Sequence, residues 1–249
     1  MRRTILDFTG IYRNQETLRA EAQEYLDLSR MQGTDCYCDP ETEKKLREML
    51  RKVPEGGIHL MDSGNYHYMS KLFLGELARD VSLVVLDHHT DMQPPALLPI
   101  LSCGSWLADT LRDVPGVRQT FLIGPPLEAL EQIPMEYRGR VSWISMEELE
   151  DGSWKKKLSG FHADFPVYFS VDKDVFSPQV CSTNWDQGTM RLEEMTGILG
   201  WFRSQGETTG VDLCGEPDPV RAKEREIARS MDVNRILMSF WLDKCSKEG

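Results

Sequence analysis

Three residues with metal-binding side chains follow an apolar segment in the first half of the chain. The segment Ser82-Leu-Val-Val-Leu has the pattern of a buried strand and continues into Asp87, His89 and Asp91. Side chains of a strand alternate between its two faces, so this spacing predicts that the three residues point the same way. Two carboxylates and one imidazole at a strand end supply half of a metal site.

A second apolar segment supplies two more carboxylates in the second half of the chain. Phe165-Pro-Val-Tyr-Phe-Ser-Val runs directly into Asp172 and Asp174. A third strand is predicted at 57–62, and His67 follows it near the start of a helical pattern. Open α/β sheets build their sites at the carboxyl ends of their strands, so we expect the three groups to meet there.

Four carboxylates and two imidazoles would then share one pocket. Like charges repel strongly in a low dielectric, and two divalent cations would neutralise them, with Asp87 and Asp172 as candidate bridges. Oxygen-rich ligation favours Mn²⁺ over Zn²⁺, which usually takes sulfur or more imidazole. Two such ions ~3.5–4 Å apart lower the pKa of a shared water. The expected chemistry is hydrolysis at an electrophilic carbon or phosphorus.

Strand and helix patterns alternate along the chain and position these candidate ligands. Strands are predicted at 4–7, 57–62, 82–87, 119–123, 141–144, 167–172 and 209–214. Helices are predicted at 41–51, 69–78, 105–112, 146–149, 191–204 and 220–243. Buried-type strands separated by helices predict an α/β fold with a parallel sheet covered on both faces. No linker, repeat or low-complexity segment interrupts the pattern, so we expect residues 1–249 to form a single domain.

The composition argues against several classes of protein. The chain has 40 acidic and 29 basic residues and a net charge of -11, whereas nonspecific nucleic-acid binding needs a basic face. No apolar run reaches the ~18 residues that span a bilayer, and the apolar stretch at the N-terminus is too short for a signal peptide. The six cysteines are scattered, which is typical of reduced thiols in a cytoplasmic protein. The only close pair is Cys36-Tyr-Cys38.

Three motifs make the chain resemble the arginase–agmatinase (ureohydrolase) superfamily. Ser63-Gly-Asn-Tyr-His67 resembles the family's Gly-Gly-Asp-His element, and Asp87-His-His-Thr-Asp91 resembles its Asp-Ala-His-x-Asp element. Ser170-Val-Asp-Lys-Asp-Val-Phe-Ser-Pro178 resembles its Ser-x-Asp-x-Asp-x-x-Asp-Pro element. The resemblance runs over most of the chain, and all six ligand positions carry the family's residue types.

This resemblance implies a three-layer α/β/α fold with a mostly parallel sheet of about eight strands. It also implies two Mn²⁺ ions per chain, a small-molecule substrate and a homo-oligomer. Its ligands for one ion are His67, Asp87, Asp91 and Asp172. Its ligands for the other ion are Asp87, His89, Asp172 and Asp174.

The departures from the family motifs concern the substrate side of the site. Cys103 lies where the family has a histidine for proton transfer or substrate binding, so we expect Cys103 to have such a role. Asp91 and Asp174 are the candidates for orienting the attacking water. Strand alternation predicts that His88 points away from the ligands and packs.

The guanidinium-binding position of the family also differs. The family places a glutamate three residues after an aspartate on a late strand, and here Gly215 follows Asp212 at that spacing. Glu216 is the next residue, and it is the candidate for binding the substrate if the backbone bulges at Gly215. This departure argues against arginase itself.

Three functions are compatible with these residues. The first is a binuclear manganese hydrolase that cleaves a C–N bond of a guanidino, amidino or related amine compound. The second is an amine deacylase on the same fold, for which one zinc per chain would be expected. The third is a metal-binding sensor or scaffold without catalysis.

Overall fold

The protein is built around one parallel sheet. A computed structural model describes residues 1–94 and 100–242. The sheet comprises β1 (Arg3–Asp7), β2 (Glu24–Asp27), β4 (Gly57–Leu60), β5 (Val81–Leu86), β7 (Val117–Ile123), β8 (Val141–Ile144), β9 (Val167–Asp172) and β10 (Thr208–Cys214). The strand order is β2-β1-β4-β10-β9-β5-β7-β8, and every neighbouring pair is parallel. A separate antiparallel pair is formed by β3 (Tyr37–Cys38) and β6 (Leu101–Ser102).

Helices cover both faces of this sheet. They are α1 (Glu16–Glu21), α2 (Pro40–Leu50), α3 (Met69–Gly75), α4 (Trp106–Asp113), α5 (Leu127–Glu131), α6 (Met135–Arg138), α7 (Met146–Glu150), α8 (Leu192–Gln205) and α9 (Glu224–Leu242). One hydrophobic cluster joins the sheet to α7, α8 and α9, and a second joins it to α2, α3 and α4. The predicted three-layer α/β/α arrangement with eight strands is confirmed.

The central strands are rich in apolar residues because both of their faces are covered. All six residues of β5 are buried, and its apolar residues divide between the two clusters. Leu83 and Val85 face one cluster, whereas Val84 and Leu86 face the other. Burial on both faces explains a continuous apolar run rather than an alternation of apolar and polar residues.

The strand order brings the candidate ligands together. β4, β10, β9 and β5 are successive neighbours in the sheet, so their carboxyl ends lie side by side. The register aligns Leu86 with Val171 and Asp172 with Cys214. Short 3₁₀ turns at Gly64–Tyr66 and Lys173–Val175 follow β4 and β9 and carry the chain across this edge.

Most predicted elements lie within a few residues of the observed ones, but several observed elements were missed. The missed helices are α1, α5 and α6, and the missed strands are the edge strand β2 and the antiparallel pair β3–β6. The last helix begins at Glu224 rather than at Val220, and its predicted end, Asp243, lies outside the described residues. None of the helices within the described ranges has the length and apolarity needed to cross a bilayer.

Candidate metal centre

A pocket of about 890 Å³ opens at the carboxyl ends of β5 and β9. Five of the six predicted ligands line it, and the sixth, His67, is buried beside them. The lining ligands are Asp87, His89, Asp91, Asp172 and Asp174. The structure therefore brings together residues that lie up to 107 positions apart along the chain, from 67 to 174.

One potential ligand group forms around His67. Its Nδ1 atom lies 3.1 Å from Asp87 Oδ2, 3.1 Å from Asp91 Oδ2 and 3.7 Å from Asp172 Oδ2. The other ring nitrogen, Nε2, lies 2.8 Å from the Ser170 hydroxyl. Donation from Nε2 to Ser170 selects the tautomer whose Nδ1 carries a lone pair, which is the form that binds a metal.

A second potential group forms around His89. Its Nδ1 atom lies 2.9 Å from Asp174 Oδ2 and 3.6 Å from Asp87 Oδ1. Its Nε2 atom lies 3.0 Å from Asp186 Oδ1. A carboxylate behind a ligating histidine fixes the ring orientation and increases its basicity. Asp186 was not predicted, because its position in the sequence carries no motif.

Asp87 belongs to both groups and presents one oxygen to each. Its Oδ2 atom faces His67, and its Oδ1 atom faces His89. Asp172 lies on the His67 side, where its Oδ1 atom accepts a hydrogen bond of 3.0 Å from the Asp174 backbone N–H. Asp87 is therefore shared by the two groups, whereas Asp172, the other predicted bridge, is grouped among the described residues with His67 and not with His89.

The convergence of Asp87, His89 and Asp91 has a different cause from the predicted one. β5 ends at Leu86, so these three residues lie in a loop, and strand alternation does not orient them. Asp87 Oδ1 accepts a hydrogen bond from the His89 N–H at 2.7 Å, and Asp91 has a left-handed backbone with φ of 50°. The Trp106 indole N–H donates to Asp91 Oδ2 at 2.5 Å and holds that carboxylate in place.

The same loop corrects the prediction for His88. This side chain lines the pocket instead of packing away from it, and its Nε2 atom lies 3.8 Å from Asp186 Oδ2. Its backbone N–H donates to Asp174 Oδ1 at 3.0 Å, which joins the β5 loop to the turn after β9. Burial and the nearby charge of His89 lower the pKa of His88.

The buried carboxylates resist carrying several negative charges together. Burial, followed by repulsion from Asp87, raises the pKa of Asp91 to about 7. Burial and repulsion from Asp172 and Asp87 raise the pKa of Asp174 well above its ordinary value. A buried cluster of this kind needs positive charge for all its carboxylates to be ionised at neutral pH.

The two histidines show where that positive charge would be bound. Burial lowers the pKa of His89, but hydrogen bonds to Asp174 and Asp87 outweigh burial and raise the value to about 12. His67 Nδ1 and Asp87 Oδ2 are buried, and neither has a hydrogen bond of acceptable geometry within the described part of the chain. Buried polar atoms without such partners, in a group of imidazole and carboxylate ligands, fit divalent cations.

A third group of possible ligands includes a thiol that sequence reasoning missed. Cys214 ends β10 opposite Asp172, and its Sγ atom lies 3.2 Å from Asp172 Oδ2. Cys214, Asp172 and His67 are close enough to bind one ion together. In the sequence, Cys214 looks like an ordinary apolar residue at the end of a buried strand. Only the pairing of β10 with β9 shows that it lies beside Asp172.

The residues predicted to contact the substrate are separated in the structure. Cys103 lines the pocket and is partly exposed. Its hydrogen bond with Cys36, followed by burial, raises its pKa, so this thiol stays protonated at neutral pH. A protonated thiol can donate a hydrogen bond to a substrate but is a poor proton acceptor.

Glu216 lies outside the pocket, and this placement corrects its assignment to the substrate. Its fully buried carboxylate lies 2.7 Å from Lys173 Nζ and accepts hydrogen bonds from Tyr12, Ser230 and Asn234. Full burial in this network keeps the carboxylate away from a guanidinium in the pocket. The ion pair instead joins the turn after β9 to the segment after β10, and Ser230 and Asn234 connect Glu216 to α9.

The backbone at Gly215 explains why no side chain occupies that position. Gly215 has a φ of +88°, and a Cβ atom there would lie 2.4 Å from Asp172 Oδ1 and 2.6 Å from the Lys173 backbone nitrogen. Glycine is therefore required both by its conformation and by the close approach of the third motif. A glutamate at 215 would displace a predicted ligand.

Solved structures share this architecture over nearly the whole chain. A formimidoylglutamase from Bacillus subtilis superposes with a TM-score of 0.71, covering 96% of this chain and 85% of its own, at 10% identity. An arginase from Bacillus cereus superposes with a TM-score of 0.68 over 99% and 100% of the two chains, at 12% identity. The chain has the arginase fold. A hypothetical agmatinase from Burkholderia thailandensis also has this fold, with a TM-score of 0.68, 97% and 86% coverage and 14% identity.

A sequence relative covers nearly the whole of this arginase-fold chain. An uncharacterised protein from Thermotoga maritima is 27% identical over 241 residues, which cover 96% of this chain and 90% of the relative. No protein-family model matches the chain. The predicted resemblance to ureohydrolases is confirmed in the fold, while the activity has to be argued from the site.

Proposed function

We propose that this protein is a binuclear metal-dependent hydrolase that cleaves a C–N bond of a guanidino, amidino or related amine compound. The main observation that supports this proposal is the pair of histidine–carboxylate groups that share Asp87 at one pocket. The arginase, agmatinase and formimidoylglutamase that share the fold support a hydrolase of this class.

Two Mn²⁺ ions are the proposed cofactors. One would be held by His67, Asp87, Asp91 and Asp172, and the other by Asp87, His89, Asp172 and Asp174. The preponderance of oxygen ligands favours manganese. Divalent cations in such a pair supply Lewis acidity, which acidifies water and polarises an electrophilic carbon.

The charges lining the pocket favour a cationic substrate over an amino acid. The lining within the described residues contains no Lys or Arg to pair with a substrate carboxylate. Asp186 lies at the entrance with a largely exposed side chain, where it can attract a guanidinium or ammonium group. Arginine itself carries a carboxylate that this lining leaves unpaired.

The chain's own residues would divide the remaining work. Asp91 and Asp174, which bound cations would keep ionised, would orient the attacking water by accepting a hydrogen bond from it. Cys103 would contact the substrate as a hydrogen-bond donor at the pocket wall. Trp106 and Asp186 would keep Asp91 and His89 oriented during the reaction.

A substrate panel with metal analysis tests this proposal. Protein loaded with Mn²⁺ should release urea, ammonia or an amine from at least one guanidino or amidino compound, and Asp172→Asn should abolish that release. Asp232→Asn is a matched control, because Asp232 is exposed and its ion-pair partner among the described residues is Arg235. Protein that binds two Mn²⁺ ions but hydrolyses no member of the panel would refute the proposed reaction.

Cys214 favours a second candidate, an amine deacylase with one zinc. A thiol beside His67 and Asp172 would make one site softer, and sulfur ligation favours zinc. Elemental analysis separates the two candidates by metal count and identity. A thiolate-to-metal charge-transfer band in the Co²⁺-substituted protein that disappears in Cys214→Ser would support the softer site.

A further inference from the structure

Two cysteines face each other across the antiparallel pair at the wall of the pocket. The register of β3 and β6 matches Tyr37 with Ser102 and Cys38 with Leu101. One further step in this register places Cys36 opposite Cys103. The Cys103 backbone N–H donates to the Cys36 carbonyl oxygen at 2.9 Å, which confirms that the pairing continues to these two residues.

This placement suits a disulfide, because the two thiols are close enough to form a hydrogen bond with each other. Residues directly opposite in an antiparallel pair have Cα atoms about 4.5–5.5 Å apart, and disulfides join Cα atoms about 4.4–6.8 Å apart. Both thiols are free and partly exposed, and both line the pocket. A hydrogen bond from the Cys103 thiol lowers the pKa of Cys36, which increases the thiolate fraction of Cys36.

The other cysteines in the described ranges differ in their surroundings. Cys38, Cys181 and Cys214 are buried, and Cys245 lies outside the described residues. Burial raises the pKa of Cys38 to about 12 and that of Cys181 to about 12. Among the described cysteines, Cys36 and Cys103 are thus the two that are partly exposed and close to each other. Cys36 also has a lowered pKa.

We infer that Cys36 and Cys103 form a redox-active dithiol that closes to a disulfide at the pocket wall by exchange with a low-molecular-weight disulfide of the glutathione class. The Cys36 thiolate attacks one sulfur of the small disulfide and releases one thiolate, leaving a mixed disulfide on Cys36. Cys103 loses its proton to solvent, attacks the Cys36 sulfur and releases the second small thiolate. Two protein thiols are oxidised, and the small disulfide is reduced to two thiols.

The chain after Cys103 connects this pair to the candidate metal centre. Trp106 follows Cys103 by three residues and donates its indole N–H to Asp91. The Leu107 backbone N–H donates to the Asp91 carbonyl oxygen at 3.0 Å, and the Gln93 N–H donates to the Gly104 carbonyl oxygen at 2.9 Å. A bond between Cys36 and Cys103 would therefore restrain the segment that holds Asp91. It would also fix the wall of the pocket beside the path of the substrate.

Peptide mapping after equilibration with oxidised and reduced glutathione tests the inference on the full chain. We expect one intramolecular disulfide that joins the Cys36 and Cys103 peptides, disappears on reduction and accounts for two fewer titratable thiols. Cys36→Gly and Cys103→Ala should each abolish it, and glycine suits the φ of 58° at position 36. Cys38→Ala is the matched control, and it should retain the disulfide.

Two results would overturn the inference. One is the absence of a Cys36–Cys103 bond across the glutathione range in folded wild-type protein, and the other is a Cys36–Cys38 bond in its place. Because mass mapping needs no turnover, it stays informative if the proposed hydrolysis fails. If a substrate is hydrolysed, oxidation should raise KM reversibly in the wild type and not in Cys36→Gly, and an equal response in both would exclude a gating role.

Discussion

The floor and the wall of the pocket are built on different principles. The floor consists of the candidate ligand residues at the ends of β5 and β9, and the wall includes the short pair β3–β6 with Cys36 and Cys103 beside it. The floor rests on neighbouring parallel strands that are buried along their whole length. The wall rests on two strands of two residues each, which meet from positions 37–38 and 101–102.

On the proposed function, this difference would separate the residues for chemistry from those for regulation and substrate choice. A ligand cluster needs fixed geometry, and buried strands joined by many hydrogen bonds provide it. A short, partly exposed pair opens at a lower free energy than the core, so it can change its covalent state without unfolding the sheet. We expect substitutions in the floor to affect metal binding and substitutions in the wall to affect access and reactivity.

The largest effect is expected for Asp87→Asn, which removes one carboxylate from both ligand groups. Both cations should bind at least about 100-fold more weakly, since even residues that only support ligands contribute about 10–100-fold. Hydrolysis should fall below detection. Metal content after dialysis and the substrate panel measure both effects. Retention of both metals would show that Asp87 is not shared.

The buried ion pair Lys173–Glu216 lies beneath the floor, and breaking it should lower the unfolding free energy more than it changes metal specificity. Lys173→Met leaves Glu216 as an unpaired charge at a fully buried site, which costs about 3–5 kcal/mol of unfolding free energy. Urea denaturation of metal-free protein measures this loss. The exposed pair Arg235–Asp232 is the matched control, and Arg235→Ala should cost less than about 1 kcal/mol. Equal losses would show that the buried pair has no special role.

Asp186 lies at the boundary between floor and wall and tests whether one group can be weakened alone. Asp186→Asn removes the carboxylate behind His89, so the second cation should bind about 10–100-fold more weakly while the first is little affected. Titration with Mn²⁺ by calorimetry should show two separated affinities. Equal weakening of both would mean that the two groups do not act independently.

The smallest effect is expected for Cys103→Ala in the wall, which should change the alkylation rate of Cys36. Its lowered pKa increases the thiolate fraction at neutral pH, so iodoacetamide should alkylate Cys36 faster than an ordinary thiol. Cys103→Ala removes the hydrogen-bond donor, raises the pKa of Cys36 and shifts the pH–rate profile to higher pH. The rate at neutral pH should fall several-fold, with little change at high pH. An unchanged profile would show that the two thiols do not interact.

The sequence predicts the ligands because their spacing reflects local rules. Asp172 and Asp174 follow a buried strand in the sequence as they do in the structure, and His67 lies after β4 as expected. The side chains of Asp87, His89 and Asp91 converge as predicted but for a different reason, since a loop and the Trp106 hydrogen bond orient them. The prediction that His88 points away from the ligands was wrong for the same reason, because His88 lies in that loop and not in a strand.

The remaining features depend on contacts between distant segments. Local patterns gave no signal for β2 or for β3–β6, because such short strands are defined by their partners rather than by their own residues. Lys173 and Glu216 form a buried pair across 43 positions, and neither residue type predicts this alone. Asp186 has a similar origin, since it faces His89 from a loop 97 residues away.

The sequence by itself determined the α/β class, the parallel sheet and the six candidate ligands. Buried strands, and the polar residues that follow them, are visible as short local patterns. Only the tertiary structure decided which side chains meet at the pocket. It placed Glu216 in the core, Cys214 beside Asp172, and Cys36 opposite Cys103 rather than in a pair with its near neighbour Cys38. The physical reason is that register between separate strands is set by the packing of the whole sheet and its loops.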